Sequence, residues 1–260
     1  MSAPLKLAGF AALLVLVFGV AVAAGDVIGP DRDDSVVPEG GMGEHGEVAV
    51  DPIRGLSISE GGLALELQQT SPELVFTITE DGEPVREFEV EHERRMHLIV
   101  VRRDGTGFQH LHPELGEDGA WRTPLTVTEP GVYRVFADFK HDGTAYTLAS
   151  DLTVDGAARY APFPAPTTVD TVDGYRVELR AHEEQLAFDI TRDGQPVKTE
   201  QYLGAGGHLV ALREGDLAFL HVHPNDDGVA FETELEPDTR YRLYLQFQHD
   251  GVVHTAEFTR

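Results

Sequence analysis

LVFTITEDGEPVREFEVEHERRMHLIVVRRDGTGFQHLHPE, Leu74 to Glu114, and LAFDITRDGQPVKTEQYLGAGGHLVALREGDLAFLHVHPND, Leu186 to Asp226, are two versions of one pattern. A second pair of blocks follows in the same order, GVYRVFADFKHDGTAYT from Gly131 and TRYRLYLQFQHDGVVHT from Thr239. Self-similarity at a fixed spacing is the mark of a duplicated unit. Each copy is about 100 residues long, the usual size of a sandwich domain.

Both copies read as β. Leu63-Ala64-Leu65-Glu66-Leu67 and Tyr175-Arg176-Val177-Glu178-Leu179 alternate apolar and polar residues, the period of a half-buried strand. Asp81-Gly82, Asp104-Gly105, Asp142-Gly143, Asp193-Gly194 and Asp250-Gly251 supply turn signals between the runs. No window has a helical period. The expected fold is therefore all-β, two tandem immunoglobulin-like β-sandwich domains, with a small barrel as the alternative architecture. The expected boundaries are 55–158 and 167–260. They are joined by a Pro-rich linker, 159–166, that contains Ala161-Pro162-Phe163-Pro164-Ala165-Pro166.

The N-terminus sets the expected compartment. Lys6 precedes an uncharged apolar stretch from Leu7 to Ala24 that closes on Ala21-Val22-Ala23. Residues 1–25 read as an N-terminal hydrophobic helix, either a signal peptide or an uncleaved membrane anchor. Either one leaves the chain from Asp26 onward outside the cytoplasmic membrane, secreted or anchored. Residues 26–54 are rich in Gly, Asp, Glu and Pro and read as a flexible acidic spacer, with His45 a polar residue within it. There are no cysteines, which excludes disulfides and thiolate metal sites. A formal charge of −25 excludes nucleic acid and anionic membrane surfaces as partners, so membrane contact is expected only through the N-terminal segment.

Histidines carry the chemistry. His97, His110, His112 and His141 of the first copy match His208, His221, His223 and His249 of the second, and the second adds His254 where the first has Tyr146. In His110-Leu111-His112 and His221-Val222-His223 the two imidazoles share one face of a strand. The intervening apolar residue then packs behind, and Pro113 or Pro224 is expected to end the strand. A two-residue turn at Asp250-Gly251 would set Phe247 opposite His254 and His249 opposite Val252. His249 and His254 then lie on one face, about 7–8 Å apart at the backbone. His97 and His208 open apolar strands. The reading groups His208, His221, His223, His249 and His254 as the stronger metal site. His97, His110, His112 and His141, with Glu114 or Asp138, form the weaker one. His92 and His182 have no counterparts and read as solvated surface residues.

Imidazole without thiolate suits copper(II), zinc or nickel, and copper(II) heads the affinity order of the divalent series. Imidazole ligands must be neutral and their unperturbed pKa is about 6.5, so affinity is expected to fall below about pH 6. A cupin-like metalloenzyme lacks the rest of its ligand set here, and there is no Gly-x-Ser-x-Gly elbow or cysteine nucleophile. The chain therefore reads as a binding protein rather than an enzyme. The competing reading is a structural or interaction tandem sandwich with incidental histidines.

These residues resemble a group of exported bacterial proteins that carry His-Leu-Ile/Val-Val…His-x-His-Pro-Glu and a Phe-x-His-Asp-Gly hairpin and are often labelled heavy-metal-binding. The likeness runs from about Leu56 to the C-terminus. In overall plan and in the Asp-Gly-x-Pro-Val turn the chain is also similar to the immunoglobulin-like copper-handling domains of the CopC and YtkA types. The resemblance implies extracytoplasmic handling of a metal ion, copper first, for tolerance, buffering or delivery to a membrane metal transporter or another exported metal protein.

Overall fold

Strands begin and end where the turn residues place them. Asp81, Asp142, Asp193 and Asp250 each take a positive φ and are followed by a glycine that does the same, the conformation a tight two-residue hairpin turn requires. Asp104-Gly105 is different. Asp104 is buried and holds the Arg102 guanidinium at 2.6 Å inside a longer loop.

The structure is a computed structural model. It describes residues 53–182, 185–220, 222–225, 228–233, 235–236 and 238–260, and for His223 the backbone alone. The first repeat contains β1 (Ser59–Glu60), β2 (Leu63–Gln69), β3 (Glu73–Glu80), β4 (Glu83–Pro84), β5 (His97–Arg102), β6 (Gln109–Leu111), β7 (Glu114–Leu115), β8 (Trp121–Pro124), β9 (Gly131–His141) and β10 (Thr144–Val154). The second contains β11 (Val169–Val172), β12 (Tyr175–His182), β13 (Gln185–Arg192), β14 (Gln195–Pro196), β15 (His208–Arg213), β16 (Phe219–Leu220), β17 (His223–Pro224), β18 (Ala230–Glu232), β19 (Tyr241–His249) and β20 (Val252–Thr259).

In each repeat a six-stranded sheet (β1-β2-β3-β8-β7 with β4 on β3; β11-β12-β13-β18-β17 with β14 on β13) faces a four-stranded one (β10-β9-β5-β6; β16-β15-β19-β20). All the pairings are antiparallel. The chain is all-β with two domains. Among the described residues no helix is long and apolar enough to cross a membrane. The segment 1–25 and most of the spacer lie outside the described residues. Pro113 follows β6 as expected, whereas Pro224 stands inside β17, paired with Phe231.

The strand alternation builds three cores. Leu98, Val100, Val135, Ala137 and Phe139 face Trp121, Phe76 and Ile78 inside the first sandwich. Leu209, Ala211, Leu243, Leu245 and Phe247 do the same in the second. The residues between them point the other way. Ile99, Val101 and Phe136 of the first repeat pack against Val210, Leu212, Leu217, Phe219 and Tyr244 of the second. The two four-stranded sheets are therefore buried on both faces, and β5 reads as an unbroken apolar run after His97 for that reason.

The lead-in to β1 closes over this third core. Phe219 N–H donates to the Arg54 carbonyl at 2.9 Å. Gly55 has φ +70° and no room for a side chain, since a Cβ there would sit 2.8 Å from the Phe136 ring. At the far side, Phe108 stacks on Tyr244 at 4.1 Å and the Tyr244 hydroxyl donates to the Gly105 carbonyl at 2.8 Å. The linker is pinned to the first repeat as well: Ala161 N–H donates to Asp104 and Arg102 lies over the Tyr160 ring at 4.6 Å.

Candidate metal centre between the repeats

His97 begins β5 on the face of Ile99 and Val101, the face that meets the second repeat. His110 stands opposite Ile99 across the β5–β6 ladder, so it shares that face. Leu111, opposite Leu98, packs behind it against the first core. His112 follows two residues on from His110, and His208 opens β15 on the facing side. The four imidazoles thus gather where the apolar inter-repeat core ends. His208 lies parallel to His97, with ring centres 5.6 Å apart, and 4.7 Å from His110. His112 is 5.2 Å from His97 and 4.8 Å from His110. One nitrogen each from His97, His110 and His112 lie within 4.8 Å of one another.

Hydrogen bonds fix which nitrogens are free. His97 Nε2 lies 3.1 Å from the Glu91 carbonyl, which only accepts, so Nε2 carries the proton and Nδ1 a lone pair. His110 Nδ1 lies 2.6 Å from Gln246 Oε1, while the Gln246 amide nitrogen is engaged with Thr255 Oγ1. With the Gln246 amide in this orientation, His110 donates from Nδ1 and carries its lone pair on Nε2. Those two lone pairs, His97 Nδ1 and His110 Nε2, face each other at 3.0 Å. His112 Nε2 is buried without a hydrogen-bond partner.

A shared proton is the first candidate to bridge such a pair, and burial works against it. Desolvation is the largest cause holding His97 down to about 4, His110 to about 3 and His112 to about 4. His208 is lowered well below its ordinary value by the same cause, reinforced by His110 and His97. At neutral pH the cluster is uncharged, with its lone pairs turned inward. Two imidazole nitrogens bound to one ion at about 2.0–2.1 Å stand roughly 2.9–3.4 Å apart, for ligand angles from square to tetrahedral. The spacing of 3.0 Å between His97 and His110 lies in that range. Each ring's other nitrogen is held by a carbonyl or amide oxygen, the outer shell that metal-bound histidines use.

Gln246 belongs to the second repeat and orients a histidine of the first. Gln246→Leu leaves His110 Nδ1–H unpaired in a buried place. We expect about 1–3 kcal/mol of lost stability in urea unfolding. Metal affinity, read by calorimetry, should fall about 10–100-fold.

The remaining histidines lie elsewhere. The expected pairings of Phe247 with His254 and His249 with Val252 are present. But His141 and His249 are in step with Phe139 and Phe247, on the inner face of each sandwich, whereas His97 pairs with Asp138 and His208 with Gln246 on the outer face. Strand alternation keeps the two groups on opposite sides of one sheet, so the hairpin histidines are not brought to the cluster. His141 bonds the Glu87 carbonyl at 2.8 Å. His249 bonds the Tyr175 hydroxyl at 2.8 Å, and His254 donates to Asp173 at 2.8 Å. Tyr146, at the position of His254, stacks on Phe139 instead.

His221 and the His223 side chain lie outside the described residues. His92, expected at the surface, lies 6.1 Å from both His97 and His208, at the rim of the cluster. No spacing in the sequence signals this, because His92 sits in the β4–β5 connection. His182 is exposed on β12, as expected. Asp138 shares the outer face beside His97 and takes a hydrogen bond from Thr147 at 2.6 Å. Burial pushes its carboxyl up to about 6. Glu114 is exposed at the edge of the cleft beside His112.

No curated protein matches the chain. Among solved structures it is similar to the chicken CNTN1 FN1-FN3 domains, with 14% identity over 80% of this chain and 68% of that one, at a TM-score of 0.21. It is similar also to a two fibronectin type-III domain segment of chicken tenascin, with 12% identity over 75% of this chain and 96% of that one, at a TM-score of 0.20. Similarity at this level carries no argument about the site. One family model, described as Domain of unknown function (DUF8832), matches residues 57–156 and again 170–260, once over each sandwich. The chain belongs to the DUF8832 family, of which it holds two copies in tandem.

Proposed function

We propose that this chain is an extracytoplasmic transition-metal-binding protein that holds copper(II), or zinc or nickel, for tolerance, buffering or delivery. The observation that carries the reading is the approach of His97 Nδ1 and His110 Nε2 to 3.0 Å, with a nitrogen of His112 beside them. In a buried, uncharged place such a pair is stabilised by a cation that accepts both lone pairs. Nitrogen donors without sulfur favour copper(II) above zinc and nickel. The strand order of each repeat fits an immunoglobulin-like sandwich, here serving as a rigid frame for the ligands. Export rests on the apolar stretch from Leu7 to Ala24, and the receiving partner on this reading is a membrane metal transporter or another exported metal protein.

Calorimetric titration of the chain from Asp26 onward with copper(II), zinc and nickel tests the proposal. Saturable binding with copper(II) tightest is the expected result. If no ion binds more tightly than a scattered surface histidine does, the function is that of an interaction module with a buried histidine network.

A further inference from the structure

His97 is buried and His110 and His112 are half-buried, and His112 borders the outside. His112 lines a cleft of about 410 Å³, together with Glu73, Glu114 and Arg122. Glu114 is exposed and Glu73 half-buried, so both carboxylates reach water at the same opening. Arg122 brings no net charge there, because Asp118 grips its guanidinium through two bonds of 2.6 and 2.9 Å. The cleft therefore presents the carboxylates of Glu73 and Glu114 outside and an unpartnered imidazole nitrogen behind them. A triad of protein ligands also leaves a fourth position for an exchangeable ligand, the arrangement of sites that do not close over their metal.

We propose that this cleft is the exchange port of the metal centre: Glu73 and Glu114 take the hydrated cation at the opening, and His112 passes it to His97 and His110. The inference rests on the metal-binding reading above. Entry is ligand substitution only. Water leaves the ion as carboxylate oxygen and then imidazole nitrogen replaces it, and no electron or proton transfer is needed. The same cleft admits a donor group of a receiving protein to the open position. Arg94, whose charge is felt at His112, opposes entry.

The test uses the single tryptophan of the chain, Trp121, which neighbours Arg122 of the cleft. Stopped-flow quenching of its fluorescence by copper(II) reads association, and capture of released ion by a chelator reads dissociation. In the full-length Glu73→Gln/Glu114→Gln variant, association is expected to slow about five- to ten-fold at low salt. Dissociation should slow with it, leaving Kd within about three-fold. Glu114→Lys should slow entry further and Arg94→Gln should hasten it. Glu60→Gln/Glu83→Gln removes two exposed charges away from the cleft and should leave the rates near those of the parent chain.

If that distant pair slows entry as much, the overall acidity delivers the ion and the port is overturned. If the cleft variants lose affinity at an unchanged association rate, Glu73 and Glu114 are ligands rather than a port. If the parent chain itself fails to bind copper(II), it is the metal-binding reading that has failed, and the port falls with it.

Discussion

Replacing His97 and His110 together with alanine is expected to weaken copper(II) binding by more than about a thousand-fold, since losing even one outer-shell partner costs about 10–100-fold. The double change removes both of the opposed lone pairs and leaves His112 and His208 without the centre that assembles them. The matching control is His249→Ala/His254→Ala. Those rings belong to the inner face of the second sandwich, where they bond Tyr175 and Asp173. Their loss should leave copper(II) affinity at the inter-repeat cluster within about two-fold. Circular dichroism and urea unfolding establish that both variants fold. The reverse pattern, with binding lost in the hairpin variant and kept in the cluster variant, would place the metal at the Asp250-Gly251 hairpin and remove the inter-repeat centre from consideration.

The contrast between those variants marks where sequence reasoning stopped. Each hairpin was legible: Asp-Gly dictates a two-residue turn, the turn dictates register, and Phe247 does stand opposite His254. The sharing of a face by His110 and His112 was legible by the same period. The pairing of β5 with β9 was not, because it joins residues far apart in the chain, from Arg102 with Tyr133 to His97 with Asp138, and no tight turn between the two strands sets register. It is that pairing, His97 opposite Asp138, that puts His97 on the face away from His141.

A signal was nevertheless present. His97-Leu98-Ile99-Val100-Val101 and His208-Leu209-Val210-Ala211-Leu212 do not alternate, and an antiparallel strand without alternation is buried on both faces. With one sandwich on one face, something must cover the other. In a tandem repeat the nearest candidate is the second copy, and the third core of Ile99, Phe136, Val210 and Phe219 is what covers it. Gln246 is the residue no local rule identifies. It reaches His110 across 136 positions of chain, and only the packing of two sheets brings them together.

Acid should destabilise the metal-free protein strongly, because its clustered histidines are neutral when folded and protonated when unfolded. An unfolded imidazole titrates near 6.5. In the folded chain burial holds His97 and His112 to about 4 and His110 to about 3. Their contribution is intact above about pH 6.5 and is lost as the pH falls toward about 4, since the unfolded chain binds protons that the folded chain refuses. Each such histidine changes stability by up to about 1.4 kcal/mol per pH unit. Asp138 acts in the opposite sense. Its carboxyl, raised to about 6 by burial, takes up a proton in the folded state first and so offsets about one histidine between pH 6 and 4.

Among the ion-paired carboxylates, Glu257 is raised by burial and acts in the same sense as Asp138. Asp104 and Asp216 lie below the ordinary carboxylate range, and their contributions are lost only as the pH falls past about 4. Four histidines, His208 among them, less the two raised carboxyls of Asp138 and Glu257 leave roughly 2–3 kcal/mol per pH unit, with His112, half-buried, contributing least of the histidines. Against a total of about 5–15 kcal/mol, that is enough to shift the urea midpoint visibly between pH 7 and 5. The slope should shrink in the His97→Ala/His110→Ala variant.

The same burial changes what metal binding does with pH. Ligands that stay neutral to about pH 4 face little proton competition above it, so copper(II) affinity should hold nearly level from pH 7 to 5 and collapse close to pH 4. Surface histidines would lose the ion near pH 6 instead. A release midpoint at pH 6, with no acid loss of stability in the metal-free chain, would mean that the ion sits on exposed rings and that the buried cluster only holds the two repeats together.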